Sequence, residues 1–126
     1  MQTYFTNYYR KKIAAAAAEG AAFPKITKMA FGNGGLNSDG NVKTETGEET
    51  ALYGELMQKE LDGHTFSADG KSVIVSCTIE KDELVGETIT EIGLIDAEGG
   101  LAGIKFCQPQ KKDEDFRYLF EIECSF

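Results

Sequence analysis

Three stretches of the chain carry residue types that bind anions or cations in other settings. Asp69-Gly70-Lys71-Ser72 holds the Gly-Lys-Ser of a phosphate-binding loop. That loop needs a second glycine where Thr65 stands, and it opens a helix. Here the residues that follow alternate like a strand, so a hairpin turn is expected. Gly32-Asn33-Gly34-Gly35 has the backbone freedom to present N–H groups to an anion. No helix start follows it, and glycine clusters mostly serve tight turns. Asn37, Asp39, Asn41 and Glu45 have the composition of a calcium loop, but Val42 stands where that loop needs glycine.

The remaining candidates are single groups. His64 is the only histidine and falls in Asp62-Gly63-His64-Thr65, read as a turn with the histidine at the surface. Nothing in the local sequence pairs a serine or cysteine nucleophile with it. Cys77, Cys107 and Cys124 are odd in number and widely spaced, which suits neither a disulfide framework nor a zinc site. They read as buried free thiols of a protein made in a reducing cytoplasm. Asp82, Glu83, Glu87 and Glu91 supply carboxylates, read as a solvated surface. No catalytic residue, metal ligand or cofactor is assigned, and the chain is not read as an enzyme.

Charge and hydropathy narrow the class further. The chain has 126 residues and a formal charge of −8, a size that suits a single domain over 1–126. Residues 1–31 carry Arg10, Lys11, Lys12, Lys25 and Lys28 against Glu19 alone, net +4, which leaves −12 for the rest. An acidic body repels phosphate, so nucleic acid is not an expected partner. Arg10-Lys11-Lys12 before Ile13 and the alanines imitates a signal peptide. Glu19 closes that apolar run far too early for a leader or a membrane span. No membrane insertion is expected.

The elements that position these groups can be read from their periods. Thr6 to Glu19 predicts a helix, with Thr6 as N-cap, an alanine run, and Gly20 at the left-handed C-terminal position. Phe5, Tyr9, Ile13 and Ala16 share one face, to be covered by the domain's own sheet or by a sister subunit. Residues 23–31 read as a strand, and 33–50 as a long polar loop, functional or mobile. Leu52, Leu56, Met57 and Leu61 have helical spacing. Val73, Val75, Cys77 and Ile79 alternate with polar neighbours toward a core. Residues 88–95 and 101–106, joined by Asp96-Ala97-Glu98-Gly99-Gly100, read as a β-hairpin. Phe116, Tyr118, Phe120, Ile122, Cys124 and Phe126 share one face of a last strand. The sum is an α+β domain, one N-terminal helix followed by four to six mostly antiparallel strands forming a sheet or sandwich.

The hairpin also carries a family resemblance. Glu91-Ile92-Gly93-Leu94-Ile95-Asp96-Ala97-Glu98-Gly99, then Leu101-Ala102, is similar to the "E-I-G-L-(F/I)-D-x-x-G-x-L-x-A" stretch of the phage tail-collar fibre family. Thr6, Ile13-Ala14 and Gly20 resemble that family's opening helix. Ile26 to Gly34 resembles its "ITKIALGDG" strand and turn, and Leu52-Tyr53-Gly54-Glu55 its "L-x-x-E". The positions that carry the likeness are Thr6, Gly32, Gly34, Glu55, Glu91, Gly93, Leu94, Asp96 and Gly99. The resemblance implies that residues 56–67 are extended and pair with 71–80, overriding the helical spacing. It also implies the N-terminal module of a tail fibre, trimeric, fastened to the tail baseplate, virion-borne and without catalytic residues.

Charge and position then suggest where such a module docks. Arg10, Lys11 and Lys12 lie on the helix, with Tyr4 and Tyr8 close by. Arginine and aromatics dominate interface energies, while charges steer approach. These five residues are the candidate baseplate or subunit contact. A small glycan- or ligand-binding β-module is the alternative reading. It would use exposed aromatics, and the chain has no tryptophan, leaving Tyr4, Tyr8 and Tyr53.

Overall fold

The computed structural model describes residues 1–126. In chain order the elements are β1 (Tyr4–Phe5), α1 (Asn7–Glu19), β2 (Ile26–Gly32), β3 (Glu55–Glu60), β4 (Gly63–Phe66), β5 (Ser72–Ile79), β6 (Thr88–Asp96), β7 (Leu101–Lys111) and β8 (Tyr118–Ser125). They form a five-stranded sheet, β1-β7-β6-β2-β3, and a three-stranded sheet, β4-β5-β8. The α+β class and the antiparallel ladders match the sequence reading. The strand count is eight instead of four to six, because two strands are very short and 55–66 is divided.

Two bent segments join the sheets into a nearly closed barrel. The segment 55–66 pairs with β2 through β3 and with β5 through β4. At its corner Leu61 N–H donates to Thr27 O at 3.1 Å and the next residue, Asp62, donates to Ser76 O at 2.8 Å. This corrects the expectation that all of 56–67 pairs with 71–80: the segment is extended, but only its second half faces β5. On the opposite side the N-terminus does the same job. Glu123 N–H donates to Met1 O at 2.7 Å and Thr3 N–H to Glu123 O at 3.0 Å, after which Tyr4 and Phe5 pair with Ile104 and Gly103 of β7. Strands that switch sheets make such corners, and closure removes exposed edges.

Apolar side chains fill both faces of the large sheet. Met29, Phe31, Ile92 and Leu94 meet Val75, Cys77, Phe120 and Ile122 of the smaller sheet across the barrel interior. Phe31 and Phe120 approach to 5.1 Å between ring centroids. The other face of the large sheet presents Ala30, Ile95, Leu101, Ile104 and Phe106, and Leu52 with Val42 covers them. The long polar segment 33–50 is therefore a cover for that face. It is pinned by Lys43 N–H to Gly35 O at 2.8 Å and by Asn7 N–H to Gly47 O at 2.7 Å.

Helix α1 starts as its sequence dictates. Thr6, at φ −76° and ψ 160°, accepts the Tyr9 N–H at 3.3 Å, and Gly20 ends the helix in the left-handed region at φ 70°. Of the predicted stripe, Tyr9 is buried, while Phe5, Ile13 and Ala16 are half-buried. The domain itself covers this face: Tyr9 stacks on Phe5 at 5.6 Å and its hydroxyl donates to Pro24 O at 2.9 Å.

Candidate docking surface

The basic run on α1 divides into two parts. Lys12 Nζ lies 3.2 Å from Asp96 Oδ2 and 2.5 Å from Glu98 Oε2, and it also donates to the Tyr8 hydroxyl. Asp96 has no exposed side-chain surface. Its other oxygen accepts the N–H groups of Glu98 and Gly100, both at 3.0 Å. Burial pushes the Asp96 carboxyl up, but the Gly100 N–H, Lys12, Tyr8 and the Glu98 N–H outweigh burial and hold it below the usual carboxylate range. The carboxylates and Tyr8 likewise raise the Lys12 ammonium against the effect of burial. Tyr8 lies so close over Gly100 that a Cβ there would strike its ring. Lys12 and Tyr8 thus clamp the helix onto the β6–β7 turn and belong to the fold's own packing.

Arg10 and Lys11 stand apart from this clamp. Both are exposed, and neither takes part in an ion pair within the chain. Arg10 lies 5.6 Å over the Tyr4 ring, and Tyr4 is itself exposed. The candidate docking face thus reduces to Tyr4, Arg10 and Lys11, held in place by the clamp beneath them. Tyr53, the third aromatic considered, is exposed on the cover segment beneath Lys43, whose Nζ lies 4.8 Å from its ring centre.

Several family-like positions converge on a carboxylate that the sequence reading placed at the surface. Glu91 is fully buried. Its Oε1 accepts Tyr53 N–H at 2.8 Å, and its Oε2 accepts Gly34 N–H at 2.8 Å and Gly54 N–H at 2.7 Å. The glycine turn does cradle an anion, and the anion is the protein's own. A Cβ on Gly34 would lie 2.6 Å from the Tyr53 Cβ and 2.7 Å from the Gly54 nitrogen, so the two turns meet only without a side chain there. Glu49 works the same way within the cover segment, accepting Thr46 and Gly47 N–H at 2.9 and 2.8 Å. Burial raises the Glu49 carboxyl, but those N–H groups leave it below its usual range. Glu55, by contrast, is exposed and bonds only Gln58. Leu94 points into the barrel, Gly93 lies under Leu52 and Leu101, and Gly99 makes the hairpin turn at φ 87°.

The other sequence candidates resolve locally. Gly70, at φ 72°, turns β4 into β5, and Asp69 accepts the Lys71 N–H. Asp39 accepts the Asn41 N–H within a turn, while Glu45 lies 3.6 Å from Lys105. His64 belongs to strand β4 instead of a turn and is exposed, with its ring edge on Phe66. All three thiols are buried, and burial pushes Cys77 and Cys124 up to about 11, far from a reactive thiolate. Spacing could not reveal the Glu91 cradle, because Gly34 and Glu91 lie 57 residues apart. A glutamate among the apolar residues Ile89, Ile92, Leu94 and Ile95 of one strand was the available signal.

These features define a class: an α+β barrel module whose buried carboxylates are bonded to its own turns, and whose N-terminal helix carries two exposed cations outside any ion pair. Residues 1–117 match the family model described as phage tail-collar fibre protein, N-terminal. The chain belongs to that family, which is a family of structural phage tail components. Comparison with curated proteins gave no match.

Proposed function

We propose that this chain is the module that fastens a phage or prophage tail fibre to the tail baseplate, working as a homo-oligomer, with a trimer favoured, in the virion tail. The observation that carries the reading is the division of the basic run. Lys12 is tied to Asp96 and Glu98, whereas Arg10 and Lys11 are exposed and free beside Tyr4. A rigidly held helix with two free cations and an aromatic suits an acidic partner surface, where charge orients the approach and the ring supplies buried area.

The test is retention of the chain on purified baseplate components. The parent is compared with Arg10→Glu/Lys11→Glu, leaving Lys12 unaltered because it holds the hairpin. Circular dichroism first establishes that both fold. Loss of retention at low salt supports this face. Equal retention of the charge-reversed chain means that docking occurs elsewhere.

A further inference from the structure

We propose that copies of this chain exchange N-terminal arms, residues 1–19 of one copy closing the barrel seam of another, with Gly20 to Ala22 as the hinge. The seam lies between β7 and β8, and the arm is what closes it. Gln2 pairs with Glu123, while Tyr4 and Phe5 pair with Ile104 and Gly103. Helix α1 is then fastened by Asn7 N–H to Gly47 O and by Lys12 to Asp96 and Glu98. Every one of these partners lies beyond the hinge, as does Pro24, whose carbonyl accepts the Tyr9 hydroxyl. A second copy presents the same partners, so the arm fits that seam as it fits its own. This concerns how copies join and does not depend on what Arg10 and Lys11 dock against.

The hinge itself holds almost nothing. Gly20, Ala21 and Ala22 are exposed, and neither alanine forms a backbone hydrogen bond. Gly20 turns the chain at φ 70°, and a Cβ there would meet nothing within 4 Å. The chain does reverse at this point: Lys12 and Ile26 both meet Asp96, so it runs out along α1 and returns to the same residue. Local sequence favours a second state. Ala14 to Ala18 precede the hinge and Ala21-Ala22 follow Gly20, so one left-handed residue separates two stretches of the strongest helix former. A helix continued to Ala22, short of the residues that Pro24 keeps out of it, rises about 15 Å beyond Lys12. Phe23 to Ile26 then span about 14 Å at most, so folding back on the same barrel needs a fully stretched chain. The continued helix instead delivers the arm to another barrel. Reciprocal exchange makes a dimer, and arms passed round a ring close a trimer.

Disulfide trapping on the full chain tests this. Gln2→Cys in one chain and Glu123→Cys in another place a thiol on each side of the pairing between the arm and β8. The three native thiols are buried and stay out of the reaction. Oxidising the mixed, folded chains is expected to give an interchain disulfide whose yield rises with concentration and exceeds that of Gln2→Cys alone. One chain carrying both substitutions is expected to close on itself when dilute, and its failure to do so removes the pairing on which the proposal rests. Gly20→Ala added to both partners penalises the left-handed turn and favours the continued helix, so the interchain yield at equal concentration should rise about tenfold. Gly20→Asn, which tolerates that turn, should stay near the Gly20 pair. Circular dichroism checks each fold. An interchain yield no greater than the Gln2→Cys background, or one that Gly20→Ala leaves unchanged, overturns the proposal. Equal yields from Gly20→Ala and Gly20→Asn overturn the hinge.

Discussion

The carboxylate of Glu91 accepts the backbone N–H of Gly54 at 2.7 Å, joining the middle of the large sheet to the end of its covering segment. With Gly34 and Tyr53 also donating, one side chain reinforces a junction of two turns that the Asn33 N–H to Gly54 O bond at 3.0 Å also holds. A buried N–H without a partner is costly, so removing this acceptor releases three donors together.

Glu91→Gln tests that claim at nearly constant volume. The amide keeps one acceptor oxygen and turns an NH₂ group toward N–H donors. We expect a loss of about 1–3 kcal/mol, the range for leaving a buried polar group unsatisfied. Urea unfolding measures it. A midpoint equal to the parent's means that the cradle tolerates a neutral partner.

The Lys12–Asp96 pair predicts a definite pH response. The Asp96 carboxyl is held below its ordinary value of 3.8 in the folded chain. A depressed folded value contributes stability that is present above the unfolded value and is lost as pH falls through the folded one. Asp39, Glu49, Asp69 and Glu83 are lowered as well, so the comparison must be by difference. Asp96→Asn should be less stable than the parent at neutral pH, and the gap should narrow below about pH 4, where the unfolded carboxylate protonates. Thermal unfolding at a series of pH values reads this, and a gap independent of pH counts against the ion pair.

Gly93 is confined between two side chains of the outer cluster. A Cβ there would lie 2.8 Å from Leu101 Cδ1 and 3.0 Å from Leu52 Cδ2. Gly93→Val adds branching where even one carbon crowds, and overpacking of this kind costs about 1–3 kcal/mol. Denaturant midpoints decide it, since an unchanged value would mean that the cover segment simply lifts away.

What the sequence made legible follows the range of the interactions involved. The α1 cap, the β6–β7 hairpin and the alternation of Val73 to Ile79 are local patterns, and each appears where its period predicts. Leu52, Leu56, Met57 and Leu61 mislead because they serve different faces. Leu52 joins the outer cluster, while Met57 and Leu61 pack on the inner one, so a bent strand imitates a helical spacing. The Lys12 clamp and the Glu91 cradle depend on residues brought together by the finished barrel. Charge alone therefore put Lys12 with Arg10 and Lys11, although only the latter two remain free.

Thr6 links the closing strap to the helix, and its loss should loosen both. Its side chain is fully buried. The hydroxyl donates to Leu101 O at 2.6 Å while accepting Tyr9 N–H at 3.3 Å, and its own N–H donates to Ala102 O at 3.0 Å. One residue thus caps α1 and anchors it to the start of β7. Thr6→Val keeps the shape and removes the hydroxyl, leaving the Tyr9 donor and one carbonyl interaction unmet. Capping losses run at about 0.5–2 kcal/mol. Thr6→Ser restores the hydroxyl and should recover most of the loss. Amide hydrogen exchange locates the effect: in Thr6→Val, protection should fall at Tyr9, Arg10 and the paired residues of β1, while β5 and β8 exchange as in the parent once the change in global stability is subtracted. Uniform loss across all strands would show that Thr6 supports the barrel as a whole and does not act at this joint.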